Sequence, residues 1–262
     1  MNTTSELGFK IPSLKRLGAS EPAQLYFRGE PALLQKRRIS IVGSRKMSIY
    51  SKNLILRLAR ALSDADFCVV SGAAIGCDIA AHEGAFPNTI AVFGNGLDQI
   101  YPAQNAAMIG KIYERSLALS EYEDGVSARG FQFLQRNRIV VALSEALIVA
   151  QAEPRSGSLQ SARAAREMGV PVYVLPHRMD ESAGTNDLLA KSQARLIADF
   201  GDFVASLAPQ MPQNTERAQD EVMEFLALNS DLQAAIERFG DKIYEYELEG
   251  RIEILGAKIV AK

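Results

Sequence analysis

Apolar runs and amphipathic stretches alternate along this chain. The runs are rich in β-branched residues: ISIVG (39–43), FCVVSG (67–72), NTIAVFG (88–94), SLALSE (116–121), ALIVAQA (146–152), PVYVLP (171–176) and ARLIAD (194–199). Between them, stretches such as 49–62, 103–114 and 158–168 repeat their apolar residues at intervals of three and four. Strands this uniformly apolar are buried on both faces, and strands alternating with helices are joined by crossovers. The pattern predicts an α/β fold with a doubly wound, mostly parallel sheet over residues 1–208.

The pattern then changes. PQMPQNT (209–215) is polar and carries two prolines, the mark of a linker. Short amphipathic patterns follow at 217–228, 230–238 and 241–248, and RIEILGAKIVAK reads as a hairpin turning near Gly256 and Ala257. Three helices and a two-stranded wing predict a small winged-helix-like domain over 216–262. The alternative is a helical tail packed on the main domain.

Composition narrows the class. With 262 residues, 47% hydrophobic and 23% charged, the chain can bury a core that needs no staples. Cys68 and Cys77 lie in apolar or Gly-rich surroundings and are too few for a disulfide framework or a Cys-based zinc site. The start, MNTTSELGFK, has no basic segment leading into an apolar one, so no signal peptide is expected. The longest apolar candidate, 139–150, is interrupted by Ser144 and Glu145 and falls short of the ~18 residues of a membrane span. A cytoplasmic protein without membrane insertion, metal or cofactor is expected.

Net charge is −2, but it is unevenly spread: residues 217–262 hold six Lys/Arg against ten Asp/Glu, the remainder 23 against 21. A polyanion site would therefore be a local patch on the larger part. In a parallel sheet such a site belongs at the carboxyl ends of the strands, where helix N-termini offer unpaired N–H groups. Four segments are expected at that rim: GSRKMS (43–48), with Gly43, Ser44, Arg45 and Lys46; SGAAIGCD (71–78); PRSGSLQSA (154–162), with Ser156, Gly157 and Ser158; and GTN (184–186). Each alone is equally a capping turn. Four together suit an extended phosphodiester better than one mononucleotide.

A second cluster is FQFLQRNRIVVALS (131–144), where Arg136, Asn137 and Arg138 are expected near the amino end of a buried helix, against the preference of its dipole. Gripping phosphate or an internal ion pair would account for them. Phe131 and Phe133 offer stacking surfaces, worth ~1–3 kcal/mol per base in single-strand binders. Catalytic constellations are poor. The two histidines, His82 and His177, have no metal-ligand spacing, and neither a G-x-S-x-G elbow nor a Walker A sequence occurs. GNGLDQ (94–99) lacks the third glycine of a dinucleotide fingerprint, and Asp78 and Asp98 have no visible partner.

In combination and order, these segments resemble the DNA-processing protein A (Smf) family. The resemblance runs from about Ile11 through PALLQKRRISIVGSRKMSIYS, VVSGAAIGCDIAAHEGA, TIAVFGNGLDQIYPAQN, FQFLQRNRIVVALSEALIVAQA, SGSLQSA, PVYVLP and GTNDLL. It implies an extended Rossmann domain, dimers formed through that domain, and a non-catalytic binder of single-stranded DNA that loads the recombinase RecA during natural transformation. It carries the binding pocket onto Gly43, Ser44 and Arg45, and onto Phe133, Arg136, Asn137 and Arg138. The tail YEYELEGRIEILGAKI is similar to the winged-helix module of many members. The chain departs from the family at Tyr50-Ser51 (usually Tyr-Gly), Ala150-Gln151-Ala152 (usually Val-Glu-Ala) and Pro176-His177 (usually Pro-Gly). A nucleotide-processing, phosphoribohydrolase-like enzyme is the alternative, but PHRMDESAGTND (176–187) lacks that group's paired glycines.

Overall fold

A computed structural model describes residues 3–207, 221–248 and 250–261. The expected linker, 209–215, and the first residues of the expected C-terminal domain lie outside the described residues. The chain divides into two compact units, Met1–Leu207 and Ala208–Lys262.

The larger unit is built on a nine-stranded sheet. In chain order its strands are β1 (Ser5–Glu6), β2 (Tyr26–Gly29), β3 (Arg38–Val42), β4 (Cys68–Ser71), β5 (Thr89–Phe93), β6 (Leu117–Ser120), β7 (Ala146–Val149), β8 (Val172–Val174) and β9 (Arg195–Leu196). Across the sheet the order is β1-β2-β6-β5-β4-β3-β7-β8-β9. From β6 to β9 all neighbours are parallel; β1 and β2 add an antiparallel edge. The seven predicted runs are the seven strands β3 to β9.

The helices are α1 (Ile49–Asp64), α2 (Cys77–Ala85), α3 (Ala106–Arg115), α4 (Gly130–Ala142), α5 (Gly157–Glu167), α6 (Ala183–Ala190) and α7 (Phe200–Leu207). The doubly apolar strands have their physical reason here, because successive side chains of a strand enter opposite layers. Ile39 and Ile41 of β3 pack with Ile55, Leu58 and Leu62 of α1. Val42 turns to the other layer, with Ile139 and Val140 of α4 and Ala162 of α5. At ~25 cal/mol per Å2 of apolar surface removed from water, these two layers supply the dominant stabilisation. The architecture is Rossmann-like. No described helix is long and apolar enough to cross a membrane.

The smaller unit has helices α8 (Glu221–Leu228), α9 (Leu232–Phe239) and α10 (Lys242–Leu248), followed by the hairpin β10 (Ile252–Leu255) and β11 (Lys258–Ala261). Leu255 pairs with Lys258 across Gly256 and Ala257, where Gly256 adopts φ +64°. Asp231 caps α9 by accepting from the Ala234 N–H at 2.9 Å. Val222, Leu226, Ala235, Ile243, Ile252 and Ile259 form a core of its own.

Candidate nucleic-acid interface

The strand order reverses at β3. The chain leaves β3 toward β4, β5 and β6, and leaves β7, the other neighbour of β3, toward β8 and β9. A crevice opens at such a switch point, beyond the carboxyl ends of the strands. Here it holds a cavity of about 290 Å3, lined by Gly43–Arg45 after β3, Ala74 before α2 and Asp78 in its first turn, Phe133, Arg136 and Asn137 of α4, and Ser156–Ser158 at the start of α5.

The loop after β3 is wedged in place. The Ser44 N–H donates to the Gln151 carbonyl at 2.8 Å, and the Cys77 N–H donates to the Ser44 carbonyl at 3.1 Å. A Cβ on Gly43 would stand 2.5 Å from Cys77 Sγ, so only glycine fits between β7 and α2. The residue that caps α1 is Ser48, which accepts from the Ser51 N–H at 3.1 Å. Ser44 is therefore not the helix cap, and its hydroxyl accepts from the Lys46 N–H at 3.0 Å. This turn projects the exposed Arg45 over the Phe133 ring at 5.7 Å.

Arg136 departs from its expected place. Helix α4 begins at Gly130, so Arg136 is at mid-helix, away from the positive end of the helix dipole. It is unusual for its burial: the residue is 3% exposed, and its Nε and Nη1 are buried without a hydrogen-bond partner. Loss of solvent draws its pKa down to about 10, partly offset by the nearby Asp78 carboxylate. Asp78 is itself buried, which pushes its carboxyl above the usual range against the pull of Arg136.

Arg138 is already paired. Its Nη1 and Nη2 donate to the two Glu121 carboxylate oxygens at 2.9 and 2.8 Å, and its Nε donates to the Ser20 carbonyl at 3.0 Å. Residues two apart on a helix stand ~200° apart around its axis, so Arg136 and Arg138 cannot serve one pocket. Lys46 is exposed and is not part of the cavity wall. The GTN segment does not line the cavity. Gly184 and Thr185 are buried, and the Gly184 N–H donates to the Ala152 carbonyl at 2.9 Å, tying the start of α6 to the loop after β7.

At α5, Ser156 occupies the N-cap position without capping the helix, and its Oγ is buried and unpartnered. The first turn of the helix adds N–H groups that no intrahelical carbonyl can satisfy. Sequence reasoning missed Tyr101, whose ring stacks on Phe133 at 5.4 Å and 22°. It lies in the GLDQIYP segment, where the signal was an aromatic residue in the loop after a strand. Two of the three departures from the family meet at Ser48: Gln151 Oε1 accepts from the Ser48 N–H at 3.0 Å, and Ser51 Oγ lies 3.0 Å from Ser48 Oγ. At the third, His177 Nε2 donates to the Ala150 carbonyl at 2.6 Å, and its ring stands edge-on to Tyr50.

His82 is sealed in the core. Thr89 Oγ1 donates to the Val69 carbonyl, so its 2.6 Å contact with His82 requires the Nδ1–H of the imidazole as donor. Burial then draws the His82 pKa down to about 3.

The model of the family "DNA recombination-mediator protein A" matches residues 9–208. DNA processing protein DprA of Streptococcus pneumoniae is 36% identical over 189 residues, 70% of this chain and 66% of that protein. DprA of Bacillus subtilis is 33% identical over 200 residues, 74% of this chain and 67% of that one. This chain thus spans about two thirds of their length, and 52% of protein Smf of Synechocystis. Among solved structures, DNA processing protein A of Helicobacter pylori, described for its single-stranded DNA binding mode, superposes with a TM-score of 0.77 at 40% identity. That superposition covers 79% of this chain and 98% of the other. The Streptococcus pneumoniae structure gives a TM-score of 0.72 at 33% identity, covering 78% and 74%. With three quarters of its length matched by the family model, in the unit that holds the crevice, the chain belongs to the DNA recombination-mediator protein A family.

Proposed function

We propose that this protein binds single-stranded DNA along the carboxyl edge of its parallel sheet, as a binder without catalysis, and hands the strand to a RecA-type recombinase. The observation that carries the reading is the ladder Arg45–Phe133–Tyr101 beside the uncapped start of α5. A cation and two aromatic rings in contact are the means by which single strands are held without regard to sequence. The N–H groups of the α5 first turn, the free Ser156 Oγ and Arg45 form a seat for a phosphodiester, with the charge of Arg136 behind it. Gly43, Ser44, Asn137, Gly157 and Ser158 shape that seat. Lys46 adds charge at its rim, and Arg138 acts through Glu121 on the support of α4.

The family's description as a recombination mediator supports the recombinase as recipient. A homodimer through the larger unit, a winged-helix identity for the smaller one and a cytoplasmic setting complete the proposal. The excess of acids in residues 217–262 suits the smaller unit to a protein partner better than to duplex phosphates. Recombinase ATPase on a single strand already coated by a single-strand-binding protein tests the delivery step. Stimulation by this protein, lost in Arg45→Ala, is expected; stimulation untouched by that substitution would overturn the role of the crevice.

A further inference from the structure

The turn that follows β4 is held by a residue from another loop. Ala73 adopts φ +57°, in the left-handed region that a residue carrying a Cβ seldom enters, and it is fully buried. Its carbonyl accepts from Asn105 Nδ2 at 3.0 Å, across 32 positions of sequence. Only the amide nitrogen can face a carbonyl, which fixes the orientation of the Asn105 side chain. Asn105 closes the single turn Ala103–Asn105 that leads into α3, and its side chain makes no cap bond to that helix. An Asn at a helix start ordinarily accepts from the first N–H groups, and here it is committed to the neighbouring turn instead.

The held turn lies between the working parts of the crevice. Immediately before Ala73, Gly72 leaves the space that the Arg136 guanidinium fills. Immediately after it, Ala74 lines the crevice, and its N–H faces the Asp78 carboxylate. Gly76 adopts φ +86° so close to the Ser44 carbonyl that a Cβ would stand 2.3 Å from the oxygen, and the Cys77 N–H donates to that same carbonyl. One short turn, Gly72–Cys77, thus meets Arg136 on one side and the Gly43–Arg45 loop on the other. A left-handed alanine persists only where its surroundings hold it, and Asn105 reaches it from outside the turn.

We infer that Asn105 is a positioning residue for strand binding: its amide holds the Ala73 carbonyl, and through that turn it sets Arg136 and the Gly43–Arg45 loop at the separation a bound strand requires. Asn105 acts without lining the crevice itself. The inference rests on the single-strand reading above and adds to it a residue from the loop before α3.

The test measures affinity for a labelled single strand in the native protein, Asn105→Leu, Ala73→Gly and the double variant, at a temperature where thermal melts show each to be folded. Leucine keeps the volume of asparagine and removes the donor. Glycine enters the left-handed region without a steric penalty, so Ala73→Gly lets the turn form unaided. Asn105→Leu is expected to bind about five- to fiftyfold more weakly than the native protein. In the Ala73→Gly background the same substitution should cost less than about twofold. Native affinity in Asn105→Leu, or an equal loss in both backgrounds, overturns the positioning role alone. If Asn105→Leu does not fold, the double variant decides: affinity within about twofold of Ala73→Gly upholds the role, and a larger loss overturns it. Failure of the native protein to bind the strand at low salt overturns the single-strand reading, and the role of Asn105 with it.

Discussion

The guanidinium of Arg136 fills the space where a side chain on Gly72 would go: a Cβ added there would stand 1.6 Å from Nη1, 2.3 Å from Cζ and 2.4 Å from Nη2. All three atoms belong to the end of one flexible side chain, so Gly72→Ala can be accommodated by expelling Arg136 from its position. The expected outcome is a folded protein whose affinity for single strands falls about ten- to a hundredfold, as for loss of a hydrogen-bonded charge. Gly72→Ala and Arg136→Ala should each show the loss, and the double variant should lose little more. A double-mutant cycle on binding free energy checks it; simple additivity would mean that Gly72 acts elsewhere.

Most of the fold was legible because burial on both faces leaves an unmistakable trace. Ile39 to Val42, Val69 to Ser71 and Ala146 to Val149 are buried throughout, and no polar residue breaks them except Ser40 and Ser71, which bond to backbone carbonyls. β2 escaped notice because Tyr26–Gly29 is half-buried at the antiparallel edge and carries Arg28 and Gly29 in a four-residue strand. The site was legible only as segments. That Arg45, Phe133 and Arg136 belong together follows from the β3–β7 switch point, which no local pattern encodes. The RNR triplet misled, since residue types alone do not say that a helix turns Arg136 and Arg138 to different faces.

Arg45 and Arg138 should behave oppositely. Arg45 is exposed and held only over a ring, so Arg45→Ala should leave thermal stability unchanged, weaken binding and reduce the salt slope by about one. Arg138→Ala should leave the slope unchanged and cost about 1–3 kcal/mol of stability by stranding Glu121. Paired thermal melts and salt titrations of the two variants read both effects.

Phe133 is the centre of the ladder. Removing its ring in Phe133→Ala takes away the surface shared by Arg45 and Tyr101, and should cost about 1–3 kcal/mol of binding. Phe133→Tyr preserves that surface and should retain most of the affinity. Equal losses in both variants, measured by strand titration, would contradict stacking as the role of this residue.

His82 predicts a pH dependence of folding. Its pKa is about 3 in the folded protein, below the ~6.5 of the free side chain, so the unfolded chain takes up the proton first as pH falls. The unfolded state then binds more protons, and stability declines as pH drops from ~6.5 toward 3, by about 2 kcal/mol at pH 5. His82→Asn keeps a donor for Thr89 and cannot titrate. Denaturant melts at pH 7 and pH 5 should therefore show a smaller acid-induced loss in His82→Asn than in the native protein.

A single strand held in the switch-point crevice by its phosphates and unpaired bases has a direct signature in solution. Fluorescence anisotropy with a labelled strand of about 30 nucleotides, alone and annealed to its complement, at two salt concentrations, tests it most directly. Clear preference for the single strand, with affinity that falls steeply with salt, is expected. Equal binding of strand and duplex, or no binding at low salt, would contradict it.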